Sequence, residues 1–82
     1  VAGMDDPGPV GPLDHAVVGR RGVVTHPIPG GRSPGEVRVE VRGTAELFIA
    51  YADGALAVGA AVLVYRSRGH RDVDVMVDPS AS

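Results

Sequence analysis

Histidines, serines and carboxylates are the side chains of this sequence that could do chemistry, so their spacing comes first. His15, His26 and His70 show no HxH or HxxxH pattern. A zinc site needs three or four ligands converging from such spacings, so surface histidines fit the pattern better than a metal centre. Ser33, Ser67, Ser80 and Ser82 fall in loops or at the end of the chain. None stands in a GxSxG elbow, and no residue order around them suggests a triad. The carboxylate pairs Asp72/Asp74 and Glu36/Glu40 alternate with valines. That spacing puts each pair on one solvated strand face rather than in a cleft. Pro29-Gly30-Gly31-Arg32-Ser33 is rich in glycine, but it lacks the lysine of a phosphate-binding loop and no helix follows. No residue constellation for catalysis, metal binding or cofactor binding emerges, and the expectation is a protein that is not an enzyme.

Binding of single-stranded nucleic acid is the alternative with some chemical basis. It needs aromatic stacking platforms in a basic groove. The aromatics are Phe48, Tyr51 and Tyr65. Phe48 and Tyr51 are three apart, so a regular strand sends them to opposite faces and one of them into the core. Arg38, Arg42, Arg66, Arg68 and Arg71 could gather, but Glu36, Glu40, Asp72 and Asp74 lie among them. A mixed solvated surface is the better account, and nucleic acid is the unlikely partner.

Composition narrows the classes further. The chain has 82 residues, net charge -2 and no cysteine. One small domain follows, with no disulfide and no thiolate metal site. Such a domain buries only about 60% of the surface its unfolded chain exposes. All eight basic residues are arginine. Without lysine, the chain cannot carry biotin or lipoate on an amine. The most apolar stretch, Ala55 to Tyr65, is far shorter than the roughly 20 residues of a spanning helix. The sequence opens on Val1 without a signal peptide, and the expectation is a piece of a longer protein.

The elements that must position these side chains are strands. Residues 1–14 are punctuated by proline and glycine and carry Asp5, Asp6 and Asp14 with no arginine, which predicts a disordered linker. Residues 78–82 read as a second disordered tail, leaving 15–77 as the folded domain. Within it, Val37, Val39 and Val41 alternate with Glu36, Arg38, Glu40 and Arg42. This is the pattern of a half-buried strand with its valines inward. Asp72 to Val77 repeats it, with Val73, Val75 and Val77 expected inside and Asp72 and Asp74 outside. Ala16 to Thr25, Thr44 to Ala52 and Ala60 to Arg66 supply three more strands. Turns are expected at 27–35, at Gly43, at Asp53-Gly54 and at Ser67-Arg68-Gly69. Ala45 to Ala61 is alanine-rich, but Gly54 and Gly59 break it, so it reads as strand, turn and strand.

Five short strands predict an all-β fold: a small five-stranded Greek-key (OB-type) barrel, with an SH3-like barrel as competitor. Gly19 and Gly22 are the expected bend of a long first strand.

The order of elements resembles the C-terminal domain of NfeD-like proteins. Val18-Gly19-Arg20-Arg21-Gly22-Val23-Val24 is similar to that family's VGKxGxV opening. Gly35-Glu36-Val37-Arg38-Val39 is similar to its GxVxV strand, and Leu56 to Val64 to its IxxGxxVxV segment. The tryptophan often found after the glycine at position 43 is absent, and the loop from Pro27 to Pro34 is long. The resemblance implies an OB-type barrel borne by a membrane protein whose transmembrane segments lie outside this chain. It implies a non-catalytic module at the cytoplasmic face of the membrane, partnered by a stomatin/flotillin-type (SPFH) scaffold. On that reading residues 1–14 tether the barrel. Some long members add a serine protease domain, which nothing here resembles. For contact residues the sequence offers Phe48 and Tyr51 on the third strand and Arg32 in the first loop.

Overall fold

The computed structural model describes residues 16–80. The expected linker at 1–14 lies outside them, as do His15 and residues 81 and 82. The named elements are five strands: β1 Arg21–His26, β2 Gly35–Val41, β3 Thr44–Tyr51, β4 Ala61–Gly69 and β5 Asp72–Val77. They close into a barrel in the order β1-β2-β3-β5-β4. β1, β2 and β3 form an antiparallel meander, β4 and β5 an antiparallel hairpin. Two seams join these units: β3 runs parallel to β5, and β1 runs antiparallel to β4. This order is the OB-type Greek key, which settles the choice against the SH3-like alternative. Closure leaves few backbone groups at an open sheet edge.

The core forms where period-two valines converge. Val37, Val39 and Val41 are buried, as are Val24, Phe48, Val62, Val64, Val73 and Val75. The intervening Arg38 and Glu40 are exposed. β2 and β3 stay in register along their whole length, from Gly35↔Ala50 to Val41↔Thr44. Their connection is the two-residue turn Arg42-Gly43, with φ of 55° and 82°. Positive φ at both positions is the I′ geometry that matches strand twist, and glycine takes it without strain. On β1, Gly22 lets β2 approach closely: a Cβ there would stand 2.6 Å from the Arg38 carbonyl oxygen.

Five expectations need correction. The first strand does not begin at Ala16. Residues 17–19 form a turn, with Val17 buried and the Gly19 N–H donating to the Val64 carbonyl at 2.8 Å. The register shift of β1 falls between Val24 and His26, not at the glycines. The turn expected at Ser67-Arg68-Gly69 moves to His70-Arg71, both at positive φ, so β4 runs to Gly69. Two register shifts, at Val64/Arg66 and Ser67/Gly69, absorb the extra length. The expected fraying does not start at Asp78. That residue is buried, its N–H bonds the Ala61 carbonyl at 3.0 Å, and its carboxylate accepts from the Ser80 N–H and hydroxyl. Lastly, β5 departs from strict alternation. Asp74 is only 3% exposed, while Val77 is 55% exposed although it shares the face of Val73 and Val75.

Candidate interaction surface

The two departures on β5 mark neighbouring features of one surface. Asp74 pairs in register with Tyr51 of β3 and with Arg66 of β4. Its carboxylate accepts from Arg66 Nε at 2.7 Å and from Arg68 Nη2 and Nε at 2.7 and 3.0 Å. Two arginines thus fold over one aspartate. The bulges of β4 make this possible, because they bring Arg66 and Arg68 to the same partner. Hydrogen bonds from Arg68 hold the Asp74 carboxyl below the usual carboxylate range, against the opposing effect of burial and with help from Arg66. The same pair raises the Arg68 pKa. The Arg68 guanidinium lies over the Tyr51 ring, 3.9 Å from its centroid, and Arg66 stands 6.0 Å from the Tyr65 centroid.

Beside this cluster lies an apolar groove of about 600 Å³. One wall is the chain leaving β3, Ala52 to Leu56; the other is Tyr65 of β4 with Val75, Met76 and Val77 of β5. The local cause is a divergence. The β3–β5 pairing ends at Tyr51↔Asp74. Beyond it the chain turns away through Asp53 and Gly54 and bonds instead to the first loop, Leu56 N–H to the Ile28 carbonyl at 2.8 Å and the reverse at 2.9 Å. Val77 therefore lies past the point where β3 could cover it, which explains its exposure.

The three residues named as contacts fare differently. Phe48 lies in the core, 1% exposed, and so presents no contact surface. Tyr51 is half-buried beneath Arg68 at the edge of the cluster. Arg32 is exposed in the first loop, and the structure does not bring it to the cluster. Sequence reasoning missed Leu56, Tyr65, Met76 and Val77. Two outward apolar residues, Tyr65 and Met76, were the available signal.

At the other end of the barrel, Arg71 bonds Glu46 at 2.9 Å and the Leu47 carbonyl at 3.2 Å, with its guanidinium 5.4 Å from the Phe48 centroid. On the β1–β2 hairpin, Glu36 accepts from Thr25 and pairs with His26, both at 2.8 Å, and these bonds lower its pKa. Both sets tie strands together. Among the described residues no group of three or more His, Asp or Glu side chains is placed to hold a metal ion.

Strand order and closure define the class as a five-stranded OB-type β-barrel domain. The match to the family model of the NfeD C-terminal domain spans residues 21–76, and the chain belongs to that family. Among solved structures it is similar to the C-terminal domain of stomatin operon partner protein 1510-C from Pyrococcus horikoshii. The TM-score is 0.59 at 22% identity, covering 82% of this chain and 95% of that one. No curated protein matches.

Proposed function

We propose that this barrel is a non-catalytic docking module of an NfeD-like membrane protein, working with an SPFH-class scaffold at the cytoplasmic face of the membrane. The observation that carries this reading is the apolar groove between Ala52–Leu56 and Val75–Val77, set beside the Arg66/Arg68/Asp74 cluster. An apolar patch rimmed by polar side chains on a small domain marks a binding site for another macromolecule. Family membership supports the membrane context, and the printed name of the structural neighbour ties that protein to a stomatin operon.

The test is co-purification from membranes of the full-length protein with its SPFH scaffold, compared with a form lacking residues 16–80. Loss of the scaffold on deletion is expected. Undiminished association after deletion overturns the reading. Nucleic-acid binding has less support, because the Tyr51 face is taken by Arg68 and Phe48 is internal. A low-salt titration with short oligonucleotides is expected to show no binding.

A further inference from the structure

The groove contains an open strand edge. Along the β4–β5 hairpin, Val64 turns its backbone groups toward the start of β1: its N–H bonds the Arg20 carbonyl at 2.9 Å and its carbonyl accepts from Gly19 at 2.8 Å. Val64 faces Val75, so this is a pair without mutual hydrogen bonds. Two residues on, the same alternation holds for Val62↔Val77, and the Asp78 N–H bond to Ala61 confirms the phase. The backbone groups of Val75 and Val77 therefore point away from β4, toward the side that β3 has left. Among the described residues, the Val75 carbonyl and the N–H and carbonyl of Val77 meet no backbone partner there.

Taken with the apolar walls, we infer that the groove accepts an extended protein segment that adds as a short strand along Val75–Val77. Strand addition supplies main-chain bonds and lets alternate side chains enter pockets. The pocket side chains are those of Leu56, Tyr65 and Met76. Charge sets the preferred end. Arg66 is 64% exposed and, among the described residues, bonds Asp74 through Nε alone. Two guanidinium groups share the Asp74 carboxylate and leave unused N–H donors at this end, while Asp72 stands near Arg68 and Asp53 lines the opposite wall of the groove. The segment that fits is thus apolar at alternate positions and carries a carboxylate at the end near Arg66. A concave slot suits side chains of a peptide; a bilayer surface needs projecting ones. This inference rests on the docking reading but has its own readout.

The probe is a capped peptide of about eight residues, a common strand length, alternating valine and threonine and opened by glutamate. It is titrated against the isotope-labelled chain while backbone amides are followed by NMR. The expected result is shifts at Ala52–Leu56, Tyr65, Met76 and Val77, with slowed exchange of the Val77 amide. Methylating alternate peptide nitrogens should weaken binding at least about tenfold, because it removes the ladder donors. Val77→Pro should do the same with an unchanged melting temperature, since that N–H does not serve β4. Shifts confined to another face, or equal binding of the methylated peptide, overturn the inference. So does a concentration-dependent dimer through this edge without peptide binding, or binding only to anionic vesicles. If Val77→Pro keeps the scaffold while deletion of the barrel loses it, strand addition fails and the docking module stands. If deletion loses nothing, the docking module fails whatever the peptide does.

Discussion

The β2–β3 hairpin and the β4–β5 hairpin use the same strand chemistry and arrive at different surfaces. In β2–β3 every residue keeps register through a two-residue turn, valines fill the core and charges stand in water. In β4–β5 two bulges break the register, a carboxylate is buried under two arginines, and an apolar groove opens at the end. The regular hairpin uses its backbone groups in an unbroken ladder, although Leu47 and Ile49 of β3 face outward. An irregular one leaves some for a partner, which is where bulges concentrate in β proteins. The difference teaches that the unbroken ladder of this barrel lies in β2–β3, whereas the groove opens where the chain leaving β3 parts from the β4–β5 hairpin.

The strongest way to break this division is to remove the residue on which both hairpins rest. Phe48→Ala empties the largest buried side chain, and a loss of about 3–5 kcal/mol is expected in denaturant unfolding. A loss under 1 kcal/mol would mean the core does not centre there. The next contrast sets a buried carboxylate against a solvated one. Asp74→Ala should cost about 1–3 kcal/mol at neutral pH, since it strips hydrogen bonds from a buried site. Glu40→Ala, on the exposed face of β2, should stay within about 0.5 kcal/mol. Equal effects would erase the distinction between the two surfaces.

Acid sharpens the same comparison. The Asp74 carboxyl is lowered in the folded protein, first by Arg68. Its stabilisation is therefore complete above the usual carboxylate value and is lost as pH falls through the folded one. The gap between the wild-type protein and Asp74→Ala should close as pH drops below about 4. A gap that widens in acid contradicts the ion-pair assignment. The smallest effect concerns the regular hairpin. Arg42 holds a positive φ that asparagine takes more readily before Gly43. Arg42→Asn should stabilise by about 0.5 kcal/mol, read as a small rise in melting temperature.

Legibility in the sequence follows the same division. β2 was readable because three valines and four charges alternate without interruption, and Gly43 marks its turn. The barrel class followed from five such segments. β5 carries an equally clean pattern, yet pattern alone misplaced Val77 and Asp74. Burial at Val77 depends on where β3 leaves the sheet, a tertiary event with no local signature. Burial of Asp74 depends on Arg66 and Arg68 reaching the same partner, which takes two bulges in β4 that no residue in Tyr65 to Gly69 announces. The positive φ of His70 and Arg71 moved the last turn by two residues for the same reason: neither residue type signals it. Of the contact residues, Tyr51 lies under Arg68 beside the Asp74 cluster. The groove was hidden because its walls come from three separated segments.

On the proposed docking reading the β4–β5 side, and not the β2 side, meets the partner. The most direct test is scaffold recovery from membranes by the full-length protein carrying either Met76→Glu or Arg38→Glu, each with an unchanged melting temperature. Recovery should fall at least about tenfold, or about 1.4 kcal/mol, for Met76→Glu and remain unchanged for Arg38→Glu. Full recovery with Met76→Glu, or a loss confined to Arg38→Glu, would contradict it.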